Sequence, residues 1–244
     1  MTLATYTPPS WENAPKGLSV IMPAYNEERT IEEIIARVLK TELVSEIVIV
    51  DDGSKDKTRE ILSKYAEDKS GKFTIIFHEQ NQGKGAAVRT GIKAAKGDII
   101  LVQDADLEYS PTDYANLLEP ILDGRADVVF GSRFLGGPHR VLFFWHYMVN
   151  KMLTFLSNLL TNLNLTDMEV GYKVFRREIF DVVEIKSARF NFEPEITAKV
   201  AKNKFRIYEV PIRYDGRTYE EGKKIGMIDG FEALWTIFKY RFCD

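Results

Sequence analysis

One cysteine, Cys243, stands in the whole chain of 244 residues. A single thiol closes no intramolecular disulfide, so nothing here calls for an oxidising compartment. Histidine is also sparse. His78, His139 and His146 are scattered, and no Cys/His cluster has the spacing of zinc ligands. Basic residues are not in excess: 33 Lys and Arg against 36 Asp and Glu leave a net charge of −3. That removes the broad phosphate-binding face that nucleic acid needs, so no nucleic-acid partner is expected. There is no internal repeat and no low-complexity linker. Residues 1–16 hold three prolines and no apolar run. They read as a flexible N-terminal arm and not a signal peptide, which makes a cytoplasmic location the expectation.

What is present is a globular composition, 45% hydrophobic, at a length that suits one α/β domain of roughly 200–250 residues. Leu18–Met22 is a short apolar run closed by Pro23 and reads as a buried strand. Ile31, Ile34, Ile35, Val38 and Leu39 then fall on one helical face, with Thr30 and Glu33 spaced for a capping box. The alternation continues through strands at Glu46–Val50, Phe73–Phe77, Ile99–Val102 and Val128–Phe130. Helices at Thr58–Ala66, Ala86–Ala95 and Pro111–Leu122 lie between them. Such a pattern predicts a mostly parallel sheet covered on both faces, a three-layer α/β/α domain. Strands at Gly171–Phe175 and Phe205–Tyr214 and a helix at about Gly226–Tyr240 complete the chain.

Sheets of this kind bind ligands at the carboxyl ends of their strands. The polar motifs fall there: Pro23-Ala24-Tyr25-Asn26-Glu27, Asp51-Asp52-Gly53-Ser54, Asp104-Ala105-Asp106 and Gly131-Ser132-Arg133. Asp104-x-Asp106 is the sharpest. Two carboxylates where the chain turns out of a strand can share one hard divalent cation, and Glu108 can add an oxygen. Mg²⁺ or Mn²⁺ there would stabilise a diphosphate leaving group. An isolated Asp-x-Asp is more often a solvated turn; the other strand-end motifs tip the balance toward a site. Asp51-Asp52 can accept hydrogen bonds from a base or ribose, or simply cap the next helix. Asn81-Gln82-Gly83-Lys84-Gly85 lacks the spacing of a nucleoside-triphosphatase phosphate loop. Arg217 and Lys223, on a polar glycine-containing loop, are suited to neutralise a diphosphate.

In this order the motifs resemble the family 2 glycosyltransferases of GT-A fold, and among them the dolichyl- and polyprenyl-phosphate sugar synthases. The resemblance runs from about Gly17 to about Tyr240 and includes Asn81-x-Gly83-Lys84-Gly85, Asp167 with Gly171-Tyr172-Lys173, and Arg217-x-Tyr219-x-Glu221-x-Lys223. It implies a single GT-A domain over 17–244. Pro23, Ala24, Tyr25, Glu27, Val50 and Asp52 would surround the nucleoside. Asp104, Ala105 and Asp106 would meet metal and sugar diphosphate, with Glu108 as a third metal ligand where mannosyl members carry glutamine. Arg133 would hold the acceptor phosphate or the donor, and Arg217 and Lys223 would close over the diphosphate.

The activity implied is inverting transfer of a hexose, with mannose favoured, from GDP-mannose or UDP-glucose to a polyprenyl or dolichyl phosphate. A lipid phosphate is already anionic and needs no general base. A saccharide hydroxyl acceptor would need one, from Asp167, Glu169, Glu193 or Glu195. A nucleotidyltransferase reading suffers from the missing glycine-rich loop at the first strand. A sugar-nucleotide-binding module without turnover is the non-enzyme alternative. Residues 140–165 form an apolar amphipathic helical segment; as a helix Leu142–Leu160 would measure about 28 Å. Lying in a bilayer interface or packing in the core are both open to it. With no further apolar segment before Asp244, any membrane contact is expected to be peripheral.

Overall fold

A computed structural model describes residues 17–136, 138–141, 143–189, 191–217 and 227–243. The arm expected at 1–16 and Lys223 lie outside the described residues. Fourteen principal elements follow one another as β1 (Leu18–Ala24), α1 (Ile31–Leu39), β2 (Glu46–Asp51), α2 (Thr58–Ala66), β3 (Phe73–Phe77), α3 (Lys84–Ala94) and β4 (Ile99–Val102), then α4 (Tyr114–Leu122), β5 (Val128–Ser132), α5 (Phe144–Thr161), β6 (Lys173–Arg176), α6 (Phe192–Lys202), β7 (Ile207–Pro211) and α7 (Met227–Phe242).

The strands form one sheet in the order β3-β2-β1-β4-β6-β5-β7. β1, β2 and β4 are parallel neighbours, and β5 runs parallel to β7. β6 is antiparallel to both β4 and β5. Two reversals cancel, so β5 points the same way as β4. The carboxyl ends of β1, β2, β4 and β5 therefore share one edge, and β6 begins at it. Central strands are buried on both faces: β2, β4, β5 and β6 are buried at every position. This is the continuous apolar run that a doubly covered sheet requires. The edge strands β3 and β7 are only partly covered.

Two local expectations change. The capping box at α1 does not form: Thr30 has no side-chain cap bond and its hydroxyl turns back to Glu27 at 2.9 Å, while Glu33 pairs with Arg37 one turn on. The segment expected as one helix from Pro111 begins as a 3₁₀ turn at Pro111–Asp113, capped by Ser110, before α4.

The polar stripe of α5 turns inward. Only Leu153, Thr154 and Ser157 of its eighteen residues are buried. The stripe serves the irregular 162–168 loop. Thr154 Oγ1 accepts Met168 N–H at 3.1 Å, and Asn158 exchanges two hydrogen bonds with the Leu165 backbone. Lys151 Nζ donates to Thr166 carbonyl at 2.9 Å. Buried backbone groups need such partners. The apolar residues of α5 are left outside: Phe144, Trp145, Met148, Met152, Phe155 and Leu159 are all exposed. α7 packs beside α5 through Leu153, Met168, Ala233 and Ile237, and exposes Trp235, Phe238 and Phe242.

Candidate active site

The rim is built by loops stitched to one another. Asn26 takes a positive φ of 54° after β1, and its N–H donates to Ser54 Oγ at 2.9 Å. Lys55 N–H returns a bond to Asn26 Oδ1 at 2.8 Å, and Glu27 N–H donates to Thr58 Oγ1 at 2.8 Å. Ala24, Val50 and Ala105 are buried under this rim, with Pro23, Tyr25 and Glu27 half-buried upon it. Asp52 is buried at the base of this rim. Its Oδ1 accepts from Gln82 N–H at 3.0 Å and lies 2.7 Å from His78 Nδ1, and its Oδ2 accepts Gly83 N–H at 2.7 Å. It holds the 81–83 loop in place. Its neighbour Asp51 is paired with Arg59 through Oδ2 at 3.1 Å, while the enclosed Oδ1 has no hydrogen-bond partner among the described residues.

The carboxylates after β4 divide into two groups. Leu107 has φ 64°, which turns the chain sharply, and Glu108 N–H closes on Asp106 Oδ1 at 3.1 Å. Asp104 faces Lys84 Nζ at 2.8 Å, and Lys84 also binds Glu193 at 2.8 Å. Asp106 and Glu108 face Arg217, at 2.8 Å and 3.1 Å, with Glu27 3.6 Å from the same guanidinium. Tyr214 O–H donates to the other Glu108 oxygen at 3.0 Å. Gly171 admits Asp104 to this place: a Cβ there would collide with Asp104 Oδ2 and touch Tyr109. Beneath, buried Gln103 accepts from Tyr114 and Tyr172 hydroxyls at 2.8 and 2.6 Å and donates to Asp104 carbonyl at 3.0 Å, fixing the base of the turn.

Charge is unbalanced here. Glu27, Asp104, Asp106, Glu108 and Glu193 are five carboxylates against the two cations Lys84 and Arg217. Burial, then Glu108 and Asp104, push the Asp106 carboxyl up to about 7 despite Arg217. Burial disfavours the Lys84 ammonium, but Asp104 and Glu193 hold it well above the ordinary lysine range. Among the described residues no three Asp, Glu, His or Cys side chains converge on one point. The expected set Asp104, Asp106 and Glu108 is thus held apart by Lys84 on one side and Arg217 on the other. Its chemistry still fits a hard divalent cation: three oxygen donors on one turn, crowded with like charge.

The second part of the rim comes from β5 and the loop entering β6. Arg133 makes a bidentate pair with fully buried Asp167, Nε at 2.6 Å and Nη2 at 2.7 Å. Burial would raise the Asp167 carboxyl, but Arg133 holds it below the usual range. Asn150 of α5 adds a donor at 3.3 Å. Of the four candidate bases, Glu195 is committed to Lys186 N–H, Ser187 N–H and Lys199. Glu193 is committed to Lys84, and Asp167 to Arg133. Glu169 differs. Its Oε1 is enclosed without a hydrogen-bond partner among the described residues. Burial, then Glu193, push its carboxyl up to about 8. Lys84 and Tyr214 are rim residues that the strand-end motifs alone do not single out, since both reach Asp104 or Glu108 from distant parts of the chain.

Comparison with solved structures defines the class. Glucosyl-3-phosphoglycerate synthase from Mycobacterium tuberculosis, crystallised with Mn²⁺, uridine diphosphate and glucosyl-3-phosphoglycerate, matches at a TM-score of 0.72 and 20% identity. The match covers 92% of this chain and 80% of that one. At that identity the likeness speaks of fold, and the fold is GT-A. The sequence goes further: residues 19–183 match the family described as Glycosyl transferase family 2, and the chain belongs to that family. It is a glycosyltransferase. It is 30% identical to the UDP-N-acetylglucosamine–dolichyl-phosphate N-acetylglucosaminyltransferase of Methanococcus voltae, over 92% of this chain and 96% of that protein. It is 29% identical to the polyprenol monophosphomannose synthase of Mycolicibacterium smegmatis, over 85% and 80%. The dolichol-phosphate mannosyltransferase of Pyrococcus furiosus is 32% identical over 91% of this chain, which spans 61% of that protein's length.

Proposed function

We propose that the chain moves a hexose, with mannose favoured, from a nucleoside diphosphate sugar to a polyprenyl or dolichyl phosphate, with inversion and with Mg²⁺ or Mn²⁺ as cofactor. The observation that carries the acceptor is the construction of α5. Its inner side binds Asp167, the partner of Arg133, while its outer side exposes Trp145, Met152, Phe155 and Leu159. One helix thus joins the catalytic rim to a surface suited to lipid. Exposed aromatic and aliphatic side chains on α5, with Trp235, Phe238 and Phe242 exposed on neighbouring α7, fit a bilayer interface. Among the described residues no helix is long and apolar enough to cross a membrane. The relatives' names agree in acceptor class and differ in sugar.

Asp104 and Asp106, with Glu108, are the residues that would hold the metal. When bound, that ion supplies positive charge to the departing nucleoside diphosphate. The chain's residues do the rest. Arg217 stands where it can pair with the diphosphate, and Lys223 lies on the same loop in sequence. Arg133, oriented by Asp167, presents a guanidinium to the acceptor phosphate. A phosphate oxygen is already anionic at neutral pH, so the protein needs to place it in line and stabilise the leaving group, without removing a proton. The test is nucleoside diphosphate release with Mn²⁺ and a panel of GDP-mannose, UDP-glucose and UDP-N-acetylglucosamine, with and without polyprenyl phosphate. Lipid-dependent release from one donor is expected.

Glu169 supports one second reading, transfer to a saccharide hydroxyl with Glu169 as base. Its unpartnered oxygen is the observation in favour. In that case turnover would climb as pH rises through about 8, where the carboxyl ionises, and Glu169→Gln would abolish it. With a lipid phosphate, Glu169→Gln keeps most activity.

A further inference from the structure

The guanidinium of Arg217 occupies the same carboxylates that a metal would use. Asp106, Glu108 and Glu27 come to it from the loops after β4 and β1, at 2.8, 3.1 and 3.6 Å, and its backbone N–H adds a bond to Glu108 at 3.1 Å. We propose that Arg217 is a built-in placeholder cation, which keeps a bare divalent ion out of this cradle and leaves it only when metal and nucleoside diphosphate arrive together. The proposal rests on the metal-dependent reading above and adds an order of binding to it.

Three observations carry it. First, the cradle has more carboxylates than cations, and Lys84 is already fixed between Asp104 and Glu193. Arg217 is therefore the sole described cation neutralising Asp106 and Glu108. An arginine does not give up its proton, so it can be removed only by moving. Second, the backbone leading into Arg217 is held by contacts that do not involve its guanidinium. Tyr214 O–H bonds Glu108 at 3.0 Å, Asp215 N–H bonds the Glu108 carbonyl at 3.0 Å, and Arg140 bonds the Gly216 carbonyl at 3.2 Å. Tyr214 is also bridged to Tyr109 and His139. Third, the exchange is chemically lopsided. A bare dication that takes the Asp106 and Glu108 oxygens strips a partly buried guanidinium of its partners. A diphosphate entering with the metal supplies new oxygens for the same fork of N–H donors. Coupling between two ligands is reciprocal, so nucleotide must tighten metal by the factor by which metal tightens nucleotide.

The test measures bound Mn²⁺ by electron paramagnetic resonance on the full chain, alone and with GDP or UDP. Wild type is expected to bind Mn²⁺ weakly alone and about a hundredfold more tightly with a nucleoside diphosphate, a factor in the range of typical coupling energies. Arg217→Gln is expected to bind Mn²⁺ alone roughly tenfold more tightly than wild type, the scale of one charge-assisted hydrogen bond, and to lose most of the nucleotide effect. Arg217→Lys, which keeps the charge without the fork, should fall between. A wild-type readout covers the case of a misfolded variant: the Arg217 Nε–H resonance should move with Mg²⁺ plus nucleoside diphosphate and stay put with Mg²⁺ alone. Unchanged Mn²⁺ affinity in Arg217→Gln, with nucleotide coupling intact, would overturn the placeholder and leave the glycosyltransferase reading standing. No Mn²⁺ binding by wild type with either nucleotide would overturn the metal assignment itself, and the placeholder with it.

Discussion

The two parts of the rim solve opposite electrostatic problems. On one side, the loops after β1 and β4 crowd carboxylates together in excess of their cations, and Asp106 is driven up to about 7. On the other, Arg133 and Asp167 are matched one to one, and neighbouring α5 exposes apolar side chains. An acidic excess is a surface that attracts a cation; a matched ion pair beside exposed aromatics carries little net charge and fixes one guanidinium in place. The first suits a metal diphosphate and the second a lipid whose one charge must be placed with accuracy.

The strongest way to break the contrast is to open the matched pair. Asp167→Asn leaves Arg133 enclosed without its counter-charge, and should cost about 3–5 kcal/mol, read as a fall in thermal midpoint of roughly 2–4 °C per kcal/mol. A midpoint within a degree of wild type would show that the pair is not structural. Among the crowded carboxylates the same exchange should do the reverse. Asp106→Asn relieves like-charge crowding, so the fold is kept, yet metal-dependent nucleoside diphosphate release should drop about 10²–10³-fold, the size of one lost electrostatic contact to a leaving group. Retained turnover would move the metal elsewhere.

A smaller effect probes the apolar face. Phe155→Ser or Trp235→Ser should weaken sedimentation with anionic vesicles by about tenfold each, since a large apolar side chain is worth roughly 1.5–3 kcal/mol on burial. Donor binding measured without lipid should not change. Equal vesicle binding by wild type and both variants would detach α5 and α7 from the bilayer. The smallest effect concerns Glu169. Its folded carboxyl lies at about 8, above the ordinary 4.5, so its ionisation works against folding. The stability it lends is fully present below about pH 4.5 and is lost as pH rises through 8. Glu169→Gln should therefore leave the thermal midpoint unchanged at pH 4 and raise it at pH 8.5. A gain of the same size at both pH values would argue against a buried titrating carboxyl.

Much of this contrast was legible in sequence order. Apolar strand runs alternating with helical faces gave the parallel strands β1 to β5 to within a few residues, because central strands of a doubly covered sheet leave continuous hydrophobic text. The direction of β6 was not legible: four buried residues carry no sign of orientation. A helix start at Glu193-Pro194-Glu195 was legible, but the extent of α6 was not. Glu193, Glu195 and Lys199 are buried and paired, so charges stand where an amphipathic pattern expects apolar side chains. The carboxylates of 104–108 were legible as a cluster, but their division was not. It depends on a left-handed Leu107 and on Lys84 and Arg217, which arrive from twenty residues before Asp104 and from the far end of the sheet. The polar stripe of α5 was visible as a pattern, and only its inward side could show that the apolar face is the one left in the open.

The most direct trial of the whole account is transfer of labelled hexose into an organic-extractable product. The full chain is incubated with Mn²⁺, one labelled nucleotide sugar at a time, and polyprenyl phosphate. One donor should deliver label to the lipid, with the anomeric configuration inverted, and Asp106→Asn should deliver almost none. Label appearing only on an added saccharide, with none on lipid for any donor, would contradict the central claim.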